Sequence, residues 1–105
     1  MQKVQQVILD NLETANFGPD KLAKAVAISR TQLHRKLKAL TNTSTSNYIN
    51  IIRLQEAQKL LMQTDKSISE ITYMVGFSSP QYFSKNFSAL FGTTPSNYRK
   101  QVQKC

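Results

Sequence analysis

The chain has 105 residues, with 14 Lys and Arg against 6 Asp and Glu for a formal charge of +8, and a pI near 9.9. This length excludes a large multi-domain enzyme, and the charge points to polyanionic partners, nucleic acid first. A hydrophobic fraction of 40% is enough for a modest core, and the lack of an unbroken apolar run near 18 residues excludes a membrane span.

Gly and Pro number three each, so long stretches carry no breaker. Leu33, Leu37 and Leu40 recur at helical spacing, as do Phe83, Phe87 and Leu90. The expectation is an all-α fold of seven helices. The first runs from about Lys3 to Thr14; its apolar run Val7-Ile8-Leu9 is short and no small-residue cleavage pattern follows, so no secretory signal is read. The second spans about Pro19 to Val26, with Pro19 suited to a first helical position. Ser29 is the natural N-cap of the third, about Arg30 to Leu40.

The fourth and longest runs from about Thr45 to Thr64 with an apolar stripe of Ile51, Leu54, Ala57, Leu60 and Leu61. At 1.5 Å per residue it makes a strut of roughly 30 Å. Ser67 caps the fifth, about Ile68 to Val75, with Glu70 as its capping-box partner and Gly76 as its stop. The sixth starts with Ser79 as cap and Pro80 at its first position and ends at about Phe91, before Gly92. The seventh runs from Pro95 to about Val102.

Self-comparison shows a duplication. Offset by 50, residues 31–48 and 81–98 agree at Ala39/Ala89, Leu40/Leu90, Thr43/Thr93, Ser46/Ser96, Asn47/Asn97 and Tyr48/Tyr98. Offset by 49, Leu22/Ile71, Val26/Val75, Ile28/Phe77 and Ser29/Ser78 correspond. Each copy is a short helix, a turn and a Ser-capped second helix, the arrangement of a helix-turn-helix. Gly76 suits a turn needing positive φ, where its counterpart Ala27 would carry about 1 kcal/mol of strain. The organisation is then residues 1–44 as one helix-turn-helix subdomain, 45–64 as a linker helix and 65–105 as the second subdomain.

On the third helix, the side opposite Leu33 and Leu37 carries Arg30, Thr31, His34, Arg35 and Lys38, and no Asp or Glu occurs from Lys21 through Gln55. Such a face suits a recognition helix, with Arg30 and Arg35 able to fork onto guanine O6 and N7. On the sixth, Gln81, Ser84, Lys85 and Ser88 lie away from Phe83 and Phe87; Gln81 can pair with adenine and Lys85 can reach guanine or a phosphate. A roughly 30 Å strut approximates the ~34 Å repeat of B-DNA, so one chain would reach two successive major grooves and read an asymmetric target.

These residues resemble the AraC/XylS family of bacterial transcription regulators. The resemblance lies in Ile68 to Phe87, continuing from Phe91 to Arg99, in Ile28 to Lys38, and in the linker helix from Arg53 through Ala57 to Leu61. It implies a seven-helix, two-subdomain module that binds double-stranded DNA. Carried over by position, it implies base contacts from Arg30, Thr31, His34 and Arg35 in the first half, and from Ser79, Gln81, Ser84 and Lys85 in the second. Ser29, Lys36, Lys38, Ser78 and Asn86 are implied phosphate or positioning contacts. It further implies RNA polymerase as a partner, a monomeric piece of a longer chain carrying a sensor or receiver domain, and a glycine where Ala27 stands.

Other function classes find less support. His34 is the only histidine and Cys105 the only cysteine, so no internal disulfide can form, a Cys or His metal cluster lacks ligands, and no cofactor is expected. With no catalytic constellation or phosphate-cradling Gly loop, no enzyme activity is expected. A lone cysteine without a signal points to a reducing, cytoplasmic setting. The alternative to DNA binding is a protein-interaction module contacting RNA polymerase or a fused sensor domain; RNA binding lacks the signatures of the known modules.

Overall fold

The computed structural model describes residues 2–12 and 17–102. Among them lie seven helices and no strand: α1 (Gln2–Asp10), α2 (Pro19–Ala25), α3 (Arg30–Thr41), α4 (Thr45–Gln63), α5 (Ile68–Met74), α6 (Pro80–Phe91) and α7 (Pro95–Val102). The all-α expectation holds, with ends within a residue of those predicted except at α1. There the described helix stops at Asp10, where the Asn11 side chain donates to the Val7 carbonyl at 2.8 Å; the predicted end at Thr14, like Cys105, lies outside the described residues.

Side chains close the helix starts as their spacing predicts. Ser29 Oγ accepts from the Gln32 amide at 3.1 Å while Gln32 Oε1 accepts from the Ser29 amide at 3.0 Å, a reciprocal capping box. Ser67 and Glu70 form the same box at 3.0 and 3.1 Å. The Ser67 backbone N–H, and then its hydroxyl, hold the Glu70 carboxyl below the usual carboxylate range. This cap therefore contributes stability at neutral pH that is lost as pH falls through the lowered pKa. Ser79 Oγ accepts from the Tyr82 amide at 3.2 Å ahead of Pro80.

The duplication extends to the backbone. The two turns place Ala27 at φ 62° and Gly76 at φ 91°, and the ends of α3 and α6 place Asn42 at φ 58° and Gly92 at φ 76°. Both copies thus need left-handed residues at two points; the second meets them with glycine and the first with Ala and Asn. Ala27 carries the strain foreseen for it.

The chain divides into two compact units, residues 1–53 and 54–105, and the boundary falls within α4. The first unit's core is Val4, Ile8, Phe17, Leu22, Ala23, Leu33, Leu37, Tyr48, Ile49 and Ile52. Across it, Arg53 Nη2 donates to the Phe17 carbonyl at 3.3 Å. The second unit's core is Leu54, Ala57, Leu61, Ile71, Val75, Phe77, Phe83 and Phe87. Phe87 stands at its centre, with ring centroids 5.7 Å from Phe83, 4.5 Å from Phe91 and 5.7 Å from Tyr98. Arg99 braces this unit by donating to the carbonyls of Leu61 (3.3 Å) in the last turn of α4 and of Thr64 (3.1 Å) and Lys66 (2.6 Å) just beyond it.

Two expectations about the core need correction. Leu40 and Leu90, read as the third member of each apolar stripe, are 59% and 43% exposed. Each sits in the last turn of its helix, where Asn42 or Gly92 turns the chain away before another element covers it. The single α4 stripe is also incomplete. Tyr48, Ile49 and Ile52 are buried with the first unit, whereas Leu54, Ala57 and Leu61 serve the second.

Candidate nucleic-acid interface

Burial of Leu33 and Leu37 turns the opposite side of α3 outward. Arg30, Thr31, His34, Arg35, Lys36 and Lys38 are all exposed. Among the described residues, the carboxylate reaching this group comes from α2: Asp20 Oδ1 lies 3.2 Å from Arg30 Nη1, with both side chains largely in solvent. Asp20 stands one residue before the acid-free segment on which the sequence reading relied. Ser29 is exposed but its oxygen is spent on the cap.

The same logic orients α6, where Phe83 and Phe87 are fully buried. Gln81, Lys85 and Ser78 are exposed, while Ser79, Ser84 and Asn86 are half-buried. Ser79 caps the helix, and Asn86 Nδ2 donates to the Tyr82 carbonyl at 2.8 Å. Every site residue of each half therefore lies on or beside its own second helix. Tyr82, 48% exposed, adds an amphipathic side chain to the α6 face.

A cleft of about 410 Å³ opens at the start of α3, lined by Pro19, Arg30, Thr31, His34, Ser44, Thr45 and Ser46. It brings three predicted site residues beside the first turn of α4. Sequence reasoning missed Ser44, Thr45 and Ser46, because a polar run crossing from the break between helices into the start of α4 carries no charge or periodicity to mark it. Among the described residues, no group of three or more His, Cys, Asp or Glu could hold a metal, and no described helix is long and apolar enough to cross a membrane.

Comparison with known proteins gives concordant results. A helix-turn-helix domain family matches residues 22–101. Histidine kinase P4 of Formosa agariphila is 39% identical over 104 residues, which are 99% of this chain and 8% of the kinase. A crystal structure of an AraC-type DNA-binding domain-containing regulator from Chromobacterium violaceum matches with a TM-score of 0.89 at 36% identity, over 96% of this chain and 89% of that one. The DNA-binding domain of AdpA, a global transcriptional factor solved in complex with a target DNA, matches with a TM-score of 0.85 at 27% identity, over 98% and 92%. The chain spans less than a third of the length of the curated relatives it matches.

Proposed function

Since the chain belongs to the AraC-type helix-turn-helix family, we propose that it is the sequence-specific, double-stranded-DNA-binding part of a bacterial transcription regulator. The observation that carries this reading is the duplicated, cation-bearing second helix, anchored from behind in each unit by two fully buried side chains: Leu33 and Leu37 in α3, Phe83 and Phe87 in α6. A rigid helix with a dry back and a charged, hydrogen-bonding front is what a major groove admits.

Base edges are read by Arg30, Thr31, His34 and Arg35 from α3, and by Ser79, Gln81, Ser84 and Lys85 from α6 and its cap. Lys36, Lys38, Ser29, Ser78 and Asn86 hold the backbone and set register. α4, whose 19 residues extend about 28 Å, acts as the linker of a three-part chain divided at 1–44, 45–64 and 65–105, and the two reading helices enter successive major grooves of an asymmetric site. The chain works without cofactor or catalysis, as a monomeric portion of a longer cytoplasmic regulator with a sensor or receiver domain. In that setting it places RNA polymerase at a promoter or blocks it.

Selection of sites from random duplexes tests the proposal. Enrichment of one asymmetric site with two preferred segments about one helical turn apart, bound with log K falling steeply in log salt, is the expected result. No enrichment and a flat salt dependence would instead favour a module that contacts proteins.

A further inference from the structure

The two copies differ behind their second helices as well as on the faces they present. In the first unit a cavity of about 130 Å³ reaches the fully buried Leu33 and Leu37 of α3, with Val4 of α1 and Val26 and Ile28 of the turn as its walls. Lys3 and Lys36 complete the lining, and both are exposed, so they mark its mouth. The space is about four times the ~30 Å³ share of one water. Apolar walls give water no hydrogen-bonding partner, whereas an apolar group that enters gains packing contacts with the side chains around it.

The second copy shows that the fold does not require this arrangement. Ile28, Leu33 and Leu37 correspond to Phe77, Phe83 and Phe87, whose rings pack with centroids 5.4 Å apart from Phe77 to Phe83 and 5.7 Å from Phe83 to Phe87. Lys36 corresponds to Asn86, whose Nδ2 is engaged by the Tyr82 carbonyl. One copy fills these positions with aromatic rings; the other places smaller branched side chains there and a free ammonium at the edge.

Volume, surface and charge together choose the occupant. The cavity suits one Leu or Ile side chain and falls short of the roughly 300 Å³ at which pockets for drug-sized ligands begin, so it takes an anchor and not a whole small molecule. Leu40, 59% exposed, follows Leu37 by three residues and Lys36 by four, on the same side of α3, and carries the apolar surface past the cavity. Among the described residues, Lys3 and Lys36 make no ion pair and no Asp or Glu lines the cavity. We infer that this face of the first unit binds an acidic peptide segment of a partner protein, which inserts one branched aliphatic side chain into the cavity and sets its carboxylates against Lys3 and Lys36. The site rests on the cavity and its rim and not on the DNA reading, with which it shares Lys36.

The test uses the whole chain and a short peptide with one leucine between flanking aspartates and glutamates. Followed by methyl NMR, the peptide shifts the Val4, Ile28 and Leu37 methyl resonances, and the same peptide with glycine in place of leucine binds about tenfold more weakly. Ile28→Phe with Leu37→Phe, which copies the second half, keeps wild-type helicity and binds the leucine peptide about tenfold more weakly. Lys3→Gln with Lys36→Gln changes only surface groups, folds as wild type and removes most of the salt dependence of peptide binding. Leucine and glycine peptides that bind alike, or cavity methyls unmoved by millimolar peptide, overturn the site. 4-Methylpentanoate, which joins the same side chain to a bare carboxylate, overturns the peptide as occupant if it binds as tightly. None of these measurements involves a duplex, so the failure of this site and the failure of the DNA reading are told apart.

Discussion

Arg30, the first residue of α3, is held by Asp20 in the first turn of α2, Nη1 to Oδ1 3.2 Å apart. With both groups in solvent the pair adds little to stability, on the order of 0–1 kcal/mol. For an approaching polyanion, however, it places a negative charge against one of the few forked donors on the reading face. Asp20→Asn is expected to tighten duplex binding by roughly two- to fivefold at low salt, less at high salt, with little change in melting temperature. Fluorescence anisotropy across a salt series measures it, and unchanged or weaker binding would contradict the assignment.

Arg35 and Lys38 lie on the same exposed helix but are assigned different work. Arg35→Ala should cost about 1–3 kcal/mol on the selected site and relax the preference at one base pair. Lys38→Ala should weaken all duplexes alike and lower the salt slope by about 0.9. Competition assays on single-base-substituted sites separate the two, and an Arg35→Ala variant with intact discrimination would remove Arg35 from the base-reading set.

The positive φ of Ala27 gives a stability prediction that involves no contact. Ala27→Gly removes the clash of Cβ with the backbone in a left-handed turn and is expected to stabilise the first unit by roughly 0.5–1 kcal/mol, after the entropy cost of glycine. Gly76→Ala in the matching turn should destabilise the second unit by about 1 kcal/mol. Urea unfolding of the two variants shows the opposite signs, and a loss of stability in Ala27→Gly would refute the strain.

Arg99 donates to three carbonyls with one planar fork, a geometry that an ammonium cannot reproduce. Arg99→Ala should cost about 2 kcal/mol, and Arg99→Lys should recover less than half of that. Faster amide exchange at Thr64 to Ser67 would locate the damage; an Arg99→Lys variant as stable as wild type would show that charge alone suffices.

Helix number, order and caps were legible because each depends on residues within four positions of one another: Ser67 with Glu70, Ser79 with Pro80, Gly92 after Phe91. The outward placement of Arg35 and Lys85 followed from the same local periodicity. Contacts between elements were not legible. Leu40 fits the periodicity of Leu33 and Leu37 but lies in the last turn, and only the path taken after Asn42 decides that nothing covers it. Ile49 and Leu54 stand about 140° apart around α4, so a search for one stripe finds the set that includes Leu54 and passes over Ile49 and Ile52. Asp20 was invisible as a partner of Arg30 because the pairing crosses the turn at Ala27. Thr45 reads only as the first residue of α4, since burial of a threonine is a property of its surroundings.

Each hydrophobic cluster is drawn from one contiguous stretch, residues 4–52 for the first and 54–87 for the second. A genetic crossover inside the codons for α4 would therefore hand over one hydrophobic cluster entire from one parent and the other entire from a second.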